Sequence, residues 1–143
     1  MERKKGRLAA ELYRIARMGM EATEIVLPKV QDSTLRDHIR RQNAGYRNYA
    51  RRAEALLARC GAEPKAQNGL EKMMLRGSAR MGTLLNKNGG HIAEMMINGS
   101  AMGIISMTRT LNQSQGEDSA AKALAGEYLA QEQQNIDALK RHL

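Results

Sequence analysis

Four long stretches of this chain place apolar side chains at steps of three and four, the spacing that lays one stripe along a helix. In residues 7–30 the stripe is Leu8, Leu12, Ile15, Gly19, Ala22 and Val26. The second stretch ends near Cys60 and carries Leu35, Ile39, Gln42, Tyr46, Tyr49, Ala53, Leu56 and Leu57. Residues 91–112 are apolar nearly all round, which predicts a central, well-covered helix. Residues 119–143 show an inner line of Leu124, Tyr128, Gln131, Asn135, Ala138 and His142. Between these stretches stand the residues that stop helices. Pro28 ends the first, Asp32-Ser33-Thr34 supplies an N-cap for the second, and Gly61 suits the position after its end. Glu63 to Gly69 reads as a loop, Asn88-Gly89-Gly90 as a break, and Gln113 to Gly116 as a turn. Glu117 and Asp118 place acids where the last helix begins. A shorter helix is expected over residues 70–86, with Leu70, Met73, Met74, Gly77, Met81, Leu84 and Leu85 on one side.

Composition agrees with helix. The chain has no Phe or Trp, four Tyr and ten Met, and Ala, Leu, Met and long charged side chains dominate. Its 143 residues suit one domain, residues 1–143, with 1–6 as a basic tail. The single cysteine, Cys60, has no internal partner, which suits a reducing cytoplasm, and is expected as a small buried residue at a helix end. No apolar signal-peptide core follows the charged start. The most apolar run, Ile92 to Met107, is too short to span a bilayer and carries Glu94 and Asn98. These features predict a cytoplasmic protein without a membrane segment. Residues 1–87 hold nineteen Lys and Arg against nine acids, and residues 88–143 hold four against six, so the basic excess lies in the first half.

The lengths constrain the topology. Short turns join the first helix to the second and the last two to each other, so each pair should form an antiparallel hairpin. A short third helix could carry the chain back along the bundle, making the helix over 91–112 parallel to the second. That is a four-helix bundle with an additional short crossover helix, the alternative being a five-helix up-and-down bundle. Polar residues interrupt the stripes at similar depth. Gln42, Glu94, Asn98, Gln131 and Asn135 are expected to form a polar core layer, and buried polar groups of this kind must be paired.

Three segments carry a resemblance: Glu11-Leu12-Tyr13-Arg14, Leu27-Pro28-Lys29-Val30, and His91 through Ser100. They resemble a bacterial group of small ferritin-like proteins of unassigned function, and the likeness covers nearly the whole chain. The resemblance implies an all-α, ferritin-like four-helix bundle. Metal-binding members of that superfamily carry a Glu on two helices and Glu-x-x-His on the other two, holding two metal ions. This chain departs from that pattern. The second-helix motif reads Gln42-Asn43-Ala44-Gly45, and the last reads Glu132-Gln133-Gln134-Asn135. No Glu-x-x-His occurs, so a di-iron site is expected to be degenerate, with Glu94 alone at a ligand position.

Candidate sites of three classes follow. His91 and Glu94, with Glu127 or Glu132, could form a reduced iron or manganese site, against a reading in which His91 caps its helix. Arg36, Arg40, Arg47 and Arg51 lie along helix two and could meet nucleic acid or another polyanion, though no aromatic platform or recognition motif accompanies them. The favoured expectation is a non-enzymatic structural or interaction module without cofactor, with a homodimer as its expected assembly, because no nucleophile, base and oxyanion-donor set is visible. The methionines, at core spacing, read as adaptable packing.

Overall fold

A computed structural model describes residues 6–61, 88–114, 116 and 118–143. Among them the chain is all-helical: α1 (Arg7–Val26), a 3-10 turn (Leu27–Lys29), α2 (Ser33–Arg59), α3 (Gly89–Gln113) and α4 (Ser119–Lys140). The expected helix over 70–86, with its methionines, and the tail through Lys5 lie outside the described residues.

The helix ends follow local chemistry. Pro28 stands in the 3-10 turn that finishes α1. The Asp32 carboxylate accepts from the Leu35 N–H at 2.9 Å and starts α2. Gly61 takes φ +71° just past its end, a conformation open to glycine. α3 begins two residues before His91, because the Asn88 side chain accepts from Gly90 N–H at 2.7 Å. Asn88, not His91, is therefore the cap. Asp118 caps α4 by accepting from Ala120 N–H at 3.2 Å.

Two apolar clusters fix the helix directions. One joins Val26 at the end of α1 and Val30 just past it, Leu35 and Ile39 from the start of α2, Ile92 and Met96 from the start of α3, and Leu139 from the end of α4. The other gathers Leu8, Leu12, Ile15 and Ala16 with the second half of α2, Met107 late in α3, and the first half of α4. α2 and α3 thus start at one end of the bundle and run parallel, while α1 and α4 run the other way. Since α2 has 27 residues, Gly61 and Asn88 stand a helix length apart, roughly 40 Å at 1.5 Å per residue. α1 packs along α2 and α3, and α4 along α3 and α2, closing a four-helix ring.

Two expectations need correction. α3 is not covered all round: Met102 is 55 % and Ile105 57 % exposed, because its inward line is Ile92, Ala93, Met96, Ser100, Met107 and Thr110. Cys60 is exposed, since it sits past the last full turn of α2, where the apolar stripe has left the interface.

Candidate functional site

The middle of the bundle holds a carboxylate that lies outside the inner line expected for the last helix. The inward line of α4 runs through Leu124, Tyr128, Glu132, Asn135, Ile136 and Leu139, so Glu132 is 2 % exposed. Its oxygens are held by groups from two helices. Tyr46, from α2, donates its hydroxyl to Glu132 Oε1 at 2.8 Å. Asn135, one turn along α4, donates Nδ2 to the same oxygen at 2.6 Å. Tyr128 donates its hydroxyl to Oε2 at 3.3 Å. Ser100, from α3, lies beside this carboxyl and adds to the pull favouring its charged form, although its hydroxyl meets no partner at full hydrogen-bond geometry.

Burial is the larger force on this group. It raises the Glu132 pKa above the ordinary carboxyl value, and the hydrogen bonds from Asn135, Tyr46 and Tyr128, with the nearby Ser100 hydroxyl, oppose the rise. The two phenols shift upward too, through burial first and then the neighbouring Glu132 charge. Both tyrosines remain proton donors at neutral pH.

Two glycines make the tyrosines' positions available. A Cβ at Gly19 would lie 2.7 Å from the Tyr46 ring, and one at Gly103 would collide with the Tyr128 hydroxyl. The Tyr128 ring meets Tyr49 edge to face, with centroids 5.8 Å apart. Tyr49 in turn donates to the Glu127 carbonyl at 3.2 Å.

Gln42 is 3 % exposed, and neither Nε2 nor Oε1 of its amide has a hydrogen-bond partner in the protein. It lines, with Gly45, Tyr46, Glu132 and Asn135, a cavity of about 10 Å³. That space suits a single water, the kind of partner a buried amide needs.

The residues expected from the sequence divide accordingly. Gln42 and Asn135 are in the layer. Glu94 and Asn98 are exposed, because they lie across α3 from its inward line of Met96 and Ser100. Gln131 is exposed as a residue but joins the layer at its edge, lining the same cavity and donating to Asn135 Oδ1 at 3.2 Å. His91 is half-buried, at the start of α3. Glu127 is exposed and held by Arg52, with oxygen–nitrogen distances of 3.1 and 2.7 Å, which pulls its pKa down. The structure therefore does not assemble His91, Glu94, Glu127 and Glu132 into one site. Among the described residues no group of three or more His, Cys, Asp or Glu side chains converges as metal ligands would. Tyr46, Tyr128 and Ser100 were missed as layer members because each reads as ordinary packing or a small helix residue. The usable signal was the regular step Leu124, Tyr128, Glu132, Asn135 and Leu139, which continues only if a carboxylate is allowed inside.

The basic residues divide as well. Arg36 donates to the Val30 carbonyl at 2.6 Å and serves the turn between α1 and α2. Arg40 and Arg51 are exposed, and Arg47 pairs with Glu24 at 2.6 Å. Among the described residues, no helix is long and apolar enough to cross a membrane. Comparison with protein-family models, curated proteins and solved structures finds no match in any of the three.

Proposed function

We propose that the chain is a ferritin-like bundle that works as a non-enzymatic structural or interaction module, with a polar layer that fixes helix register. The observation that supports this is the saturation of Glu132: three donors from α2 and α4 converge on its two oxygens. A carboxylate engaged in this way ties two helices at a defined height, and any slip leaves a buried polar group unpaired. The donor set suits this role better than a di-metal site. Phenol hydroxyls and an amide N–H face the carboxylate, and hard divalent ions require several anionic oxygens or imidazoles.

A homodimer belongs to this reading. Met102 and Ile105 put two large apolar side chains on the outer side of α3, and nothing lies within 4 Å of the position a Cβ would take at the nearby Gly99. Sedimentation of the full chain against an Ile105→Glu variant tests that assembly.

Metal analysis of protein purified without chelator tests the layer's role. Iron, manganese and zinc are expected well below one ion per chain, unchanged in Glu132→Gln and in Glu94→Gln. Stoichiometric metal that disappears in either variant would establish the reduced metal site instead.

A further inference from the structure

Away from the polar layer, α1 and α2 part on their outer side to form a groove of about 310 Å³. This is within the range of pockets that hold small ligands. Its walls combine two chemistries. Tyr13 and Met20 from α1, with Ala44 and Ala50 from α2, provide apolar surface, and Arg17, Arg47 and Arg51 provide cations. We propose that this groove binds a small organic anion, a phosphate monoester or a carboxylate carried on a flat apolar body.

The geometry orients such a ligand. α1 and α2 are antiparallel, and Asn43 ties them together by donating to the Met20 carbonyl at 3.2 Å and to Thr23 Oγ1 at 2.7 Å. The same Asn43 accepts from Arg47 Nε at 2.9 Å, while Arg47 Nη2 donates to Glu24 at 2.6 Å. Two anchors hold this guanidinium in place before any ligand arrives, so little freedom remains to be lost on binding. Among the described residues, no carboxylate lies within ion-pair distance of Arg17 or Arg51. Both are exposed, with their donors available to an anion. The one acid of the lining, Glu54, lies a turn beyond Arg51 toward the Tyr13 end of the groove. Charge thus sets a direction, with the anionic group among Arg17, Arg47 and Arg51 and the apolar body over Tyr13.

The groove's shape favours a small anion over nucleic acid. A strand needs a continued cationic track, but Arg36 is turned to the Val30 carbonyl and Arg14 is paired with Glu11 at 2.5 Å. The basic stripe read along helix two is therefore shortened to a cluster, and α1 contributes a member that the one-helix reading could not include.

Calorimetric titration of the full chain with 1-naphthyl phosphate tests the proposal, with inorganic phosphate, 1-naphthol and a single-stranded oligonucleotide as separate arms. Saturable binding of naphthyl phosphate is expected, weakened by salt, with both fragments binding at least about tenfold less tightly. Arg17→Ala and Arg51→Ala should each weaken it about tenfold, as loss of a charge-assisted hydrogen bond does, and Arg59→Ala should not. Circular dichroism melts confirm that each variant is folded. These arginines are exposed, so their removal leaves the core intact. Absence of saturable binding, equal affinity in the folded Arg17 and Arg51 variants, equal binding of phosphate alone, or tighter binding of the oligonucleotide would each overturn the proposal.

Discussion

Glu132 concentrates the electrostatic cost of the fold in one side chain. Its folded pKa is raised above the ordinary value of 4.5, so between those two values the folded state holds a proton that the unfolded chain releases. The sign follows: this group's contribution is present at low pH and lost as pH rises from the unfolded value through the raised one. Glu132→Gln removes that dependence. Melting temperatures of the wild type and the variant, compared across roughly pH 4 to 8, should shift toward the variant as pH rises. A constant difference would mean that Glu132 titrates normally. The glycines make a second residue-scale comparison. Gly103→Ala drives a methyl into the Tyr128 hydroxyl and to 3.3 Å from Ile15, an overpacking expected to cost about 1–3 kcal/mol in denaturant titration. Gly126, on the exposed side of α4, has nothing within 4 Å of a Cβ. Gly126→Ala should therefore stabilise by about 0.5–1 kcal/mol through backbone entropy alone.

At the scale of elements, α3 is where sequence and structure part. Its composition is apolar on several sides, so periodicity alone leaves its rotation open. Packing settles the rotation, putting Ile92 at 1 % exposure and Ile105 at 57 %. Ile92→Ala should cost about 2–5 kcal/mol as a buried truncation. Ile105→Ala in the monomeric chain should stay within about 0.5 kcal/mol of wild type. Similar losses at both positions would show a different rotation of α3. α1 and α2 were legible because their stripes are narrow and their polar faces rich in charge: Leu8, Leu12, Leu35, Ile39 and Gln42 all lie inside as the spacing implies. α4 was read one position out of phase at its centre. The sequence Ala130-Gln131-Glu132-Gln133 offers only alanine and polar choices, and a carboxylate is the least expected of them to be buried. What the sequence could not supply was the company Glu132 keeps, since Tyr46, Tyr128 and Ser100 converge on it only after three helices have packed. The same rotation of α3 carries Glu94 and Asn98 to its outer side and Ser100 inward.

Across the whole molecule, the two apolar clusters lie toward opposite ends, with the polar layer between them. The proposed role in helix register rests on the hydrogen bonds to Glu132 at mid-height. The same arrangement separates the two candidate sites. The layer's cavity is sized for one water, whereas the α1–α2 groove is larger and cationic. Loss of one should not remove the other: Glu132→Gln, if folded, should retain binding in the groove, and Arg51→Ala should retain the pH dependence ascribed to Glu132. In the proposed function the Glu132 layer holds the bundle in register and is not a metal centre. Anaerobic titration of the full chain with iron(II) and then manganese(II), followed through amide NMR signals at Gln42, Tyr46, Ser100, Glu132 and Asn135, tests it most directly. No saturable shift is expected at these positions up to a few equivalents of metal. Saturable shifts at one or two ions per chain, absent in Glu132→Gln, would contradict it.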